Sequence, residues 1–463
     1  MKGRIVTHPQ PPQVPALGSA FERYQQAVST SCVQEFLHGR TVFSREGPLS
    51  AWIVIWLIIF QRLHPLGTLA VAVQELQSGP VKACICWGKR KRRRLSASTS
   101  AYSQARRRLP LEVAEKVSDV IFAALWTAQT LPEVPVPVFL LDGSSLQTSH
   151  SPGLVKAFPP MRNRHGISHW PVMRVLVAHE VRTGLAVRPA WGPMRGPHAV
   201  SEQALAKELM PRLPARCALM GDRNFGVFSM VYHAHQNSHH CLFRLTQARA
   251  QKLHRGFCPI SGTDQLISWT PTRGDRHTNP EIPVTASVPG RLLVFRLKHG
   301  KRKKIYFFTT LNLPAAKILE LYGYRWNIET DLRWLKRQVR LHTIQARSKA
   351  MVEKELVLAV AAYNLTRAAM NQAAAALHID PRQLSYSQVQ HTLNVFLPLL
   401  ANAKSESQRE QLQADMLHVL AYSKIPTRKR LPTARKVWPR ACPFPKRKAT
   451  DKHQSPTRRR TVA

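Results

Sequence analysis

The stretch VPVFLLDG, residues 136–143, decides how the rest of the chain reads. An apolar run this short, closed by Asp142-Gly143, predicts a strand buried on both faces that opens into a turn. Pro137 is tolerable there because proline suits the first residues of a strand. The texture recurs at Cys217–Met220, which ends in Gly221-Asp222. Residues 171–181 and 185–191 predict two further strands, separated by Arg182-Thr183-Gly184, and residues 240–245 a fifth. Helical spacing covers 201–210 and 227–235. Three strands, a helix, a strand, a helix and a strand make an α/β sheet with mixed strand directions.

Upstream, residues 1–130 read as helical. AWIVIWLIIF, residues 51–60, is closed by Gln61, Arg62 and His64. A membrane span needs about 20 apolar residues, so this run predicts a buried core helix. KRKRRR at 89–94 and the hydroxyl-rich residues 96–100 precede a segment carrying Arg106, Arg107 and Arg108. Helix, polar turn and basic helix predict a helix-turn-helix contact with DNA, although a solvated basic loop and a surface helix would look the same. Downstream, 265–269, 282–288 and 291–297 are strand-like pieces of a β-rich insertion, followed by a strand at 305–311. Helical pattern runs from Ala315 to about Leu341 and from Ala350 to Ala376. The tail from Lys424 carries 14 Lys or Arg against the single acid Asp451, which predicts a disordered basic arm.

Charge narrows the class. With 68 Lys+Arg against 26 Asp+Glu, the net charge is +42. A compact protein so charged repels itself unless a polyanion is its usual partner, and nucleic acid is the natural one. A ribosome-like structural protein would satisfy charge alone. The seven cysteines form no CxxC pair, and no apolar leader follows Met1, so a reducing, cytoplasmic setting without a membrane is expected.

In a chain this poor in acid, the positions of the acids carry information. Asp142 and Asp222 each close an apolar strand, where an α/β sheet presents functional side chains. Two such carboxylates with a third from a packed helix could hold two hard divalent cations, which prefer oxygen ligands. Asp-Gly and Gly-Asp are also plain turn signals. The segment LYGYRWNIETDLRWLK, 321–336, supplies the third acid. Tyr322, Arg325, Glu329 and Lys336 are spaced by three, four and seven residues, which keeps them on one face of a regular helix. A surface helix with an Arg–Glu pair would share that pattern.

Tyr-x2-Arg-x3-Glu-x6-Lys resembles the signature of DDE transposases of the insertion-sequence-four type. LLDGSSL around Asp142 and LMGDRNF around Asp222 resemble that family's two aspartate motifs, with separations of 80 (222 − 142) and 107 (329 − 222) residues. The resemblance covers roughly residues 45 to 420. It implies an RNase H-like mixed sheet with flanking helices, a β-rich insertion before the last catalytic helix, and an N-terminal helical DNA-binding domain. The expected division is 1–130, the core at 131–246 and 304–345, the insertion at 247–303, a helical region at 346–423 and the tail at 424–463. Asp142, Asp222 and Glu329 would be the catalytic metal ligands for two Mg2+ ions, with Mn2+ as a substitute. Arg325 and Lys336 would hold phosphates, Tyr322 would position the DNA end, and Trp269 would hold a flipped base. The partners implied are transposon terminal inverted repeats, target DNA and a second copy of the chain.

Overall fold

The computed structural model describes residues 19–425 apart from 41, 44–46, 88–94, 129–135, 164–165, 255–263 and 297–303. The basic loop at 89–94 and all but the first two residues of the tail lie outside the described residues.

Ten strands occur among the described residues: β1 Val138–Gln147, β2 Arg162–Asn163, β3 Gly166–Ile167, β4 Val172–Glu180, β5 Ala190–Pro193, β6 Ala218–Gly221, β7 His240–Leu245, β8 Asp264–Trp269, β9 Val288–Arg296 and β10 Lys304–Thr309. All but β2 and β3 join one sheet in the order β5-β4-β1-β6-β7-β10-β9-β8. β5, β4 and β1 run antiparallel to one another, and β1, β6 and β7 run parallel. That is the RNase H-like arrangement. β10 pairs antiparallel with β7, then β9 and β8 follow, so the insertion lengthens the core sheet.

Several elements depart from the sequence reading. β1 does not end at Asp142; it runs on to Gln147 against β4. β5 is reduced to four residues. Residues 282–287 form no strand, and a short helix, Arg273–Thr278, stands just upstream, started by a Thr272–Asp275 capping box. The expected long helix after Ala315 is broken. Helix Ala315–Gly323 passes through a 3-10 turn, Tyr324–Trp326, into helix Asn327–Arg337.

Alternation along the strands separates two cores. Phe139, Leu141, Leu219, Phe243 and Phe308 join the larger cluster, with the N-terminal helices and the long helix Lys349–Ala376. Leu140, Met220, Leu242, Leu293 and Phe307 join the smaller one, closed by Ile318 and Ile328 of the broken helix. The signature segment therefore covers one sheet face. Helix Ala51–Leu63 is almost wholly buried, and no helix among the described residues is long and apolar enough to cross a membrane.

Helix Lys349–Ala376 is buried nearly all round, its charged and polar residues Glu353, Lys354, Glu355, Asn364 and Arg367 included. Helices Ala20–Ala27, Ala51–Leu63 and Leu111–Thr127 pack against it, so the N-terminal region shares the core of the sheet. Buried charge is resolved at this junction. Glu355 binds both Arg62 (3.0 Å) and Arg106, and the Lys354 ammonium donates to the carbonyls of Arg106, Arg107 and Leu109 at 2.9, 3.1 and 2.8 Å. Lys354 thus caps the end of helix Ser100–Arg108, where unpaired carbonyls carry partial negative charge. Glu355→Gln leaves two buried guanidinium groups without a counter-charge. It is expected to destabilise the protein by about 3 kcal/mol, measured as a shift of the urea midpoint at constant slope. A loss within about 0.5 kcal/mol would show that the pair does not hold this junction.

Candidate active site

β1 and β6 pair in parallel with Val138 opposite Ala218, Phe139 opposite Leu219 and Leu140 opposite Met220. Carried two residues further, that register sets Asp142 opposite Asp222. Residues two apart on a strand share a face, so both aspartates lie on the face of Leu140 and Met220, which the signature helices cover. Neighbouring strands are about 4.8 Å apart, close enough for the two carboxylates to feel each other.

Local sequence explains each placement. Gly143 is a mid-strand residue and no turn is present; its missing side chain makes room for a carboxylate. A Cβ there would stand 2.2 Å from Glu202 Oε1. Gly221 admits the Phe225 ring, which a Cβ would meet at 2.7 Å. Asp222 then leaves the strand and accepts from the Asn224 amide at 2.8 Å, an Asx turn that fixes its backbone. The Asn224 side-chain amide donates to Glu202 Oε2 at 2.7 Å. A chain of contacts therefore runs from Asp142 through Glu202 and Asn224 to Asp222.

Burial raises the Asp142 pKa to about 6; the Gly143 amide opposes this, Glu202 and Asp222 add to it, and Arg325 opposes it. Lys336 is held below the usual lysine range by burial, with Asp142 beside it pulling the other way. Burial raises the Tyr322 pKa, against Arg325 and Arg244, with Asp222 nearby. The Tyr322 hydroxyl is buried, with the Arg244 guanidinium as its polar neighbour. The Arg325 guanidinium lies 6.0 Å from the centre of the Tyr322 ring and 5.2 Å from that of Trp326.

The structure thus gathers Asp142, Asp222, Tyr322, Arg325 and Lys336. Glu329 does not join them: it is exposed, and no three His, Cys, Asp or Glu side chains among the described residues stand close enough to share an ion. Glu329 and Lys336, seven residues apart on helix Asn327–Arg337, point the same way, but Glu329 stands two turns, about 10 Å, earlier along the axis, and it is Lys336 that lies beside Asp142.

Other expected site residues fall elsewhere. Trp269 is a core residue, 4% exposed, with its ring against Phe308 at 4.9 Å and Phe228 at 6.1 Å, so it has no free face for a base. The exposed rings of the signature segment are Tyr324 and Trp326. Arg106 is buried on Glu355, which leaves Arg107 and Arg108 as the exposed members of that trio. Cys84 accepts from the Gln25 amide at 3.3 Å. Glu202 and Arg244 were missed. For Glu202 the available signal was an acid in a first helical turn, in a chain with few acids.

Residues 136–365 match the transposase DDE domain family. The chain is 25% identical over 422 residues to the transposase InsG of insertion sequence element IS4 from Escherichia coli strain K12, covering 88% of this chain and 89% of that protein. This chain belongs to the DDE transposases. Its likeness is to the insertion-sequence-four type, and it acts as a DNA transposase. Among solved structures, the piggyBac transposase synaptic complex with hairpin DNA resembles it with a TM-score of 0.42 and 11% identity, over 90% of this chain and 87% of that one. DDE transposases generally use divalent metal ions. In this transposase the oxygen-only donors and their crowded negative charge at Asp142 suit a hard cation.

Proposed function

We propose that the transposase cleaves DNA at transposon ends and joins the freed 3′ ends to target DNA, with Asp142 and Asp222 as the centre of the reaction. The observation that carries this is the β1–β6 register, which aligns the two aspartates on the face covered by the signature helices. Mg2+, with Mn2+ as a substitute, would be held by these carboxylates and by Glu329. Bound there, such ions lower the pKa of a nucleophilic oxygen and neutralise a leaving one. Glu329 follows a 3-10 joint, and such joints often mark hinges within helices, which gives this segment a place to move Glu329 toward the aspartates.

The protein's own groups do the rest. Arg325 and Lys336 bind non-bridging phosphate oxygens of the scissile bond, where their charge offsets that of the transition state. The Tyr322 hydroxyl, beside Arg244, contacts the DNA end. In cleavage, water attacks phosphorus and the bond to the 3′ oxygen breaks, the proton passing to solvent. In joining, the 3′-hydroxyl attacks a target phosphate and a target 3′-hydroxyl leaves. By its resemblance to the family, the chain works as a homodimer on paired ends, and its chromosomal substrate places it in the cytoplasm.

The test is a terbium or Mn2+ titration of the full chain beside an assay of end cleavage and joining. Wild type is expected to bind the cation, cut and join. Glu329→Gln should bind more weakly and lose both reactions. Full cleavage by Glu329→Gln would remove that residue from the centre, and cleavage without any joining would make the protein a nuclease.

A further inference from the structure

Past Asp142, β1 and β4 continue to the pair Gln147–Val172, with β5 on the far side of β4. Beyond it lie helix Pro152–Ala157 and the small β2–β3 pair, seated by buried Leu154 and Phe158. Ser151 Oγ donates to the Arg347 carbonyl at 2.8 Å, which ties this apron to the segment following the signature helix. Its surface combines two features. The His150 and His169 rings stack at 4.3 Å and 13°, with Trp170 edge-on to His169 at 4.6 Å, and all three are exposed. Lys156 on the helix, Arg162 on β2 and Arg347 on the tied segment are exposed as well. The chain has no Asp or Glu between Asp142 and Glu180. Glu180 itself is buried on Thr183.

We propose that this apron is a duplex-DNA contact surface that grips the backbone to one side of the cleavage centre. Acid-free positive charge suits phosphates, and exposed rings suit sugar and base faces. Five strand residues separate Asp142 from Gln147, or about 17 Å at ~3.3 Å each. At ~3.4 Å per base pair, the contact falls five or more base pairs from the scissile bond. Only that position depends on the aspartate centre proposed above; binding to the apron does not.

The test is binding of the full-length transposase to a 30-base-pair duplex of random sequence in EDTA, where no cleavage occurs, across a range of salt. The pair Lys156→Ala/Arg162→Ala should reduce the slope of log K against log salt by about 2 and weaken binding about ten-fold at low salt. Trp170→Ala should weaken binding several-fold with the slope unchanged, because a ring releases no counterions. Arg409→Ala, an exposed charge on helix Glu406–Tyr422, is the control and should leave the slope as it is. An unchanged slope in the Lys156/Arg162 pair, or an equal fall in Arg409→Ala, overturns the proposal. So does a change in oligomeric state of these variants without DNA, which would give the surface to a second copy of the chain. The binding readout contains no cleavage, so failure of the aspartate centre in the cleavage assay leaves these results untouched and the two readings are told apart.

Discussion

Asp142→Asn is expected to abolish end cleavage and strand joining while making the metal-free protein more stable. The loss of activity should be about 10³-fold or more, since a carboxylate at the reacting phosphate supports several kcal/mol of transition-state stabilisation. The gain has a separate cause. Burial, with Glu202 and Asp222, raises the Asp142 pKa to about 6 in the folded protein. At neutral pH the folded state therefore carries an unfavourable charge that the unfolded chain does not feel. Removing it should add about 1–2 kcal/mol, discounted for the partial exposure of the group. The sign follows from the direction of the shift. A raised carboxyl pKa destabilises above pH 6, and the penalty fades between pH 6 and 4 as the folded state takes up its proton. Urea midpoints of both proteins from pH 4 to 8 in EDTA check it; parallel curves would mean that Asp142 is not strained by its neighbours.

Asp331→Ala should cost about 3–5 kcal/mol and should also depress cleavage. Asp331 lies two residues after Glu329 on the opposite, fully buried side of the helix. Arg382 grips both its oxygens at 2.6 and 2.8 Å and donates on to the carbonyls of Val181 and Glu180 at 2.9 and 2.7 Å. The Tyr363 hydroxyl adds a hydrogen bond at 3.0 Å. Burial alone would raise the Asp331 pKa, but Arg382, then His179 and Arg367, hold it below the usual carboxylate range. A depressed pKa gives stability that is present at neutral pH and lost in acid as pH falls through the folded value. His179, 3.9 Å away, is pushed down to about 4 by burial and stays neutral. Truncation strands the Arg382 charge and frees the helix that carries Glu329 and Lys336. Asp331→Asn keeps the shape without the charge and should lose less on both counts. Full cleavage by a folded Asp331→Ala would show that this anchor does not position the helix.

What the sequence disclosed followed from short-range pattern. Apolar runs of strand length located β1, β6 and β7, and the spacing of Tyr322, Arg325 and Lys336 located three groups that do meet the aspartates. The misreadings came from features set by tertiary contact. Asp142-Gly143 carries the residues of a turn, yet nine ladder partners on β4 and a carboxylate needing space at Gly143 hold it inside a strand. Four residues at helical offsets look like one site, but Glu329 stands about 10 Å before Lys336 along the helix, and a 3-10 turn that nothing in YRW announces interrupts the segment upstream of both. Arg106 reads as one of three DNA-facing charges until Glu355, far along the chain, is found beside it. Trp269 reads more readily as a core residue than as a clamp, and Phe228 and Phe308 pack against it as core neighbours.

Helix Lys349–Ala376, enclosed by helices from the other end of the chain, sets an order of events during synthesis. Arg62 meets its partner 293 residues later, and Arg23 meets Gln372 349 residues later. At roughly 5–20 residues per second, the ribosome needs on the order of 15–60 s to deliver Glu355 after Arg62. Throughout that interval the AWIVIWLIIF segment has only the neighbouring helices Ala20–Ala27, Leu69–Ser78 and Ser100–Arg108 to pack against and lacks the cover of Lys349–Ala376, so the nascent polypeptide is expected to expose apolar surface. A truncated translation product would be an aggregation-prone fragment, not a DNA-binding piece with a life of its own.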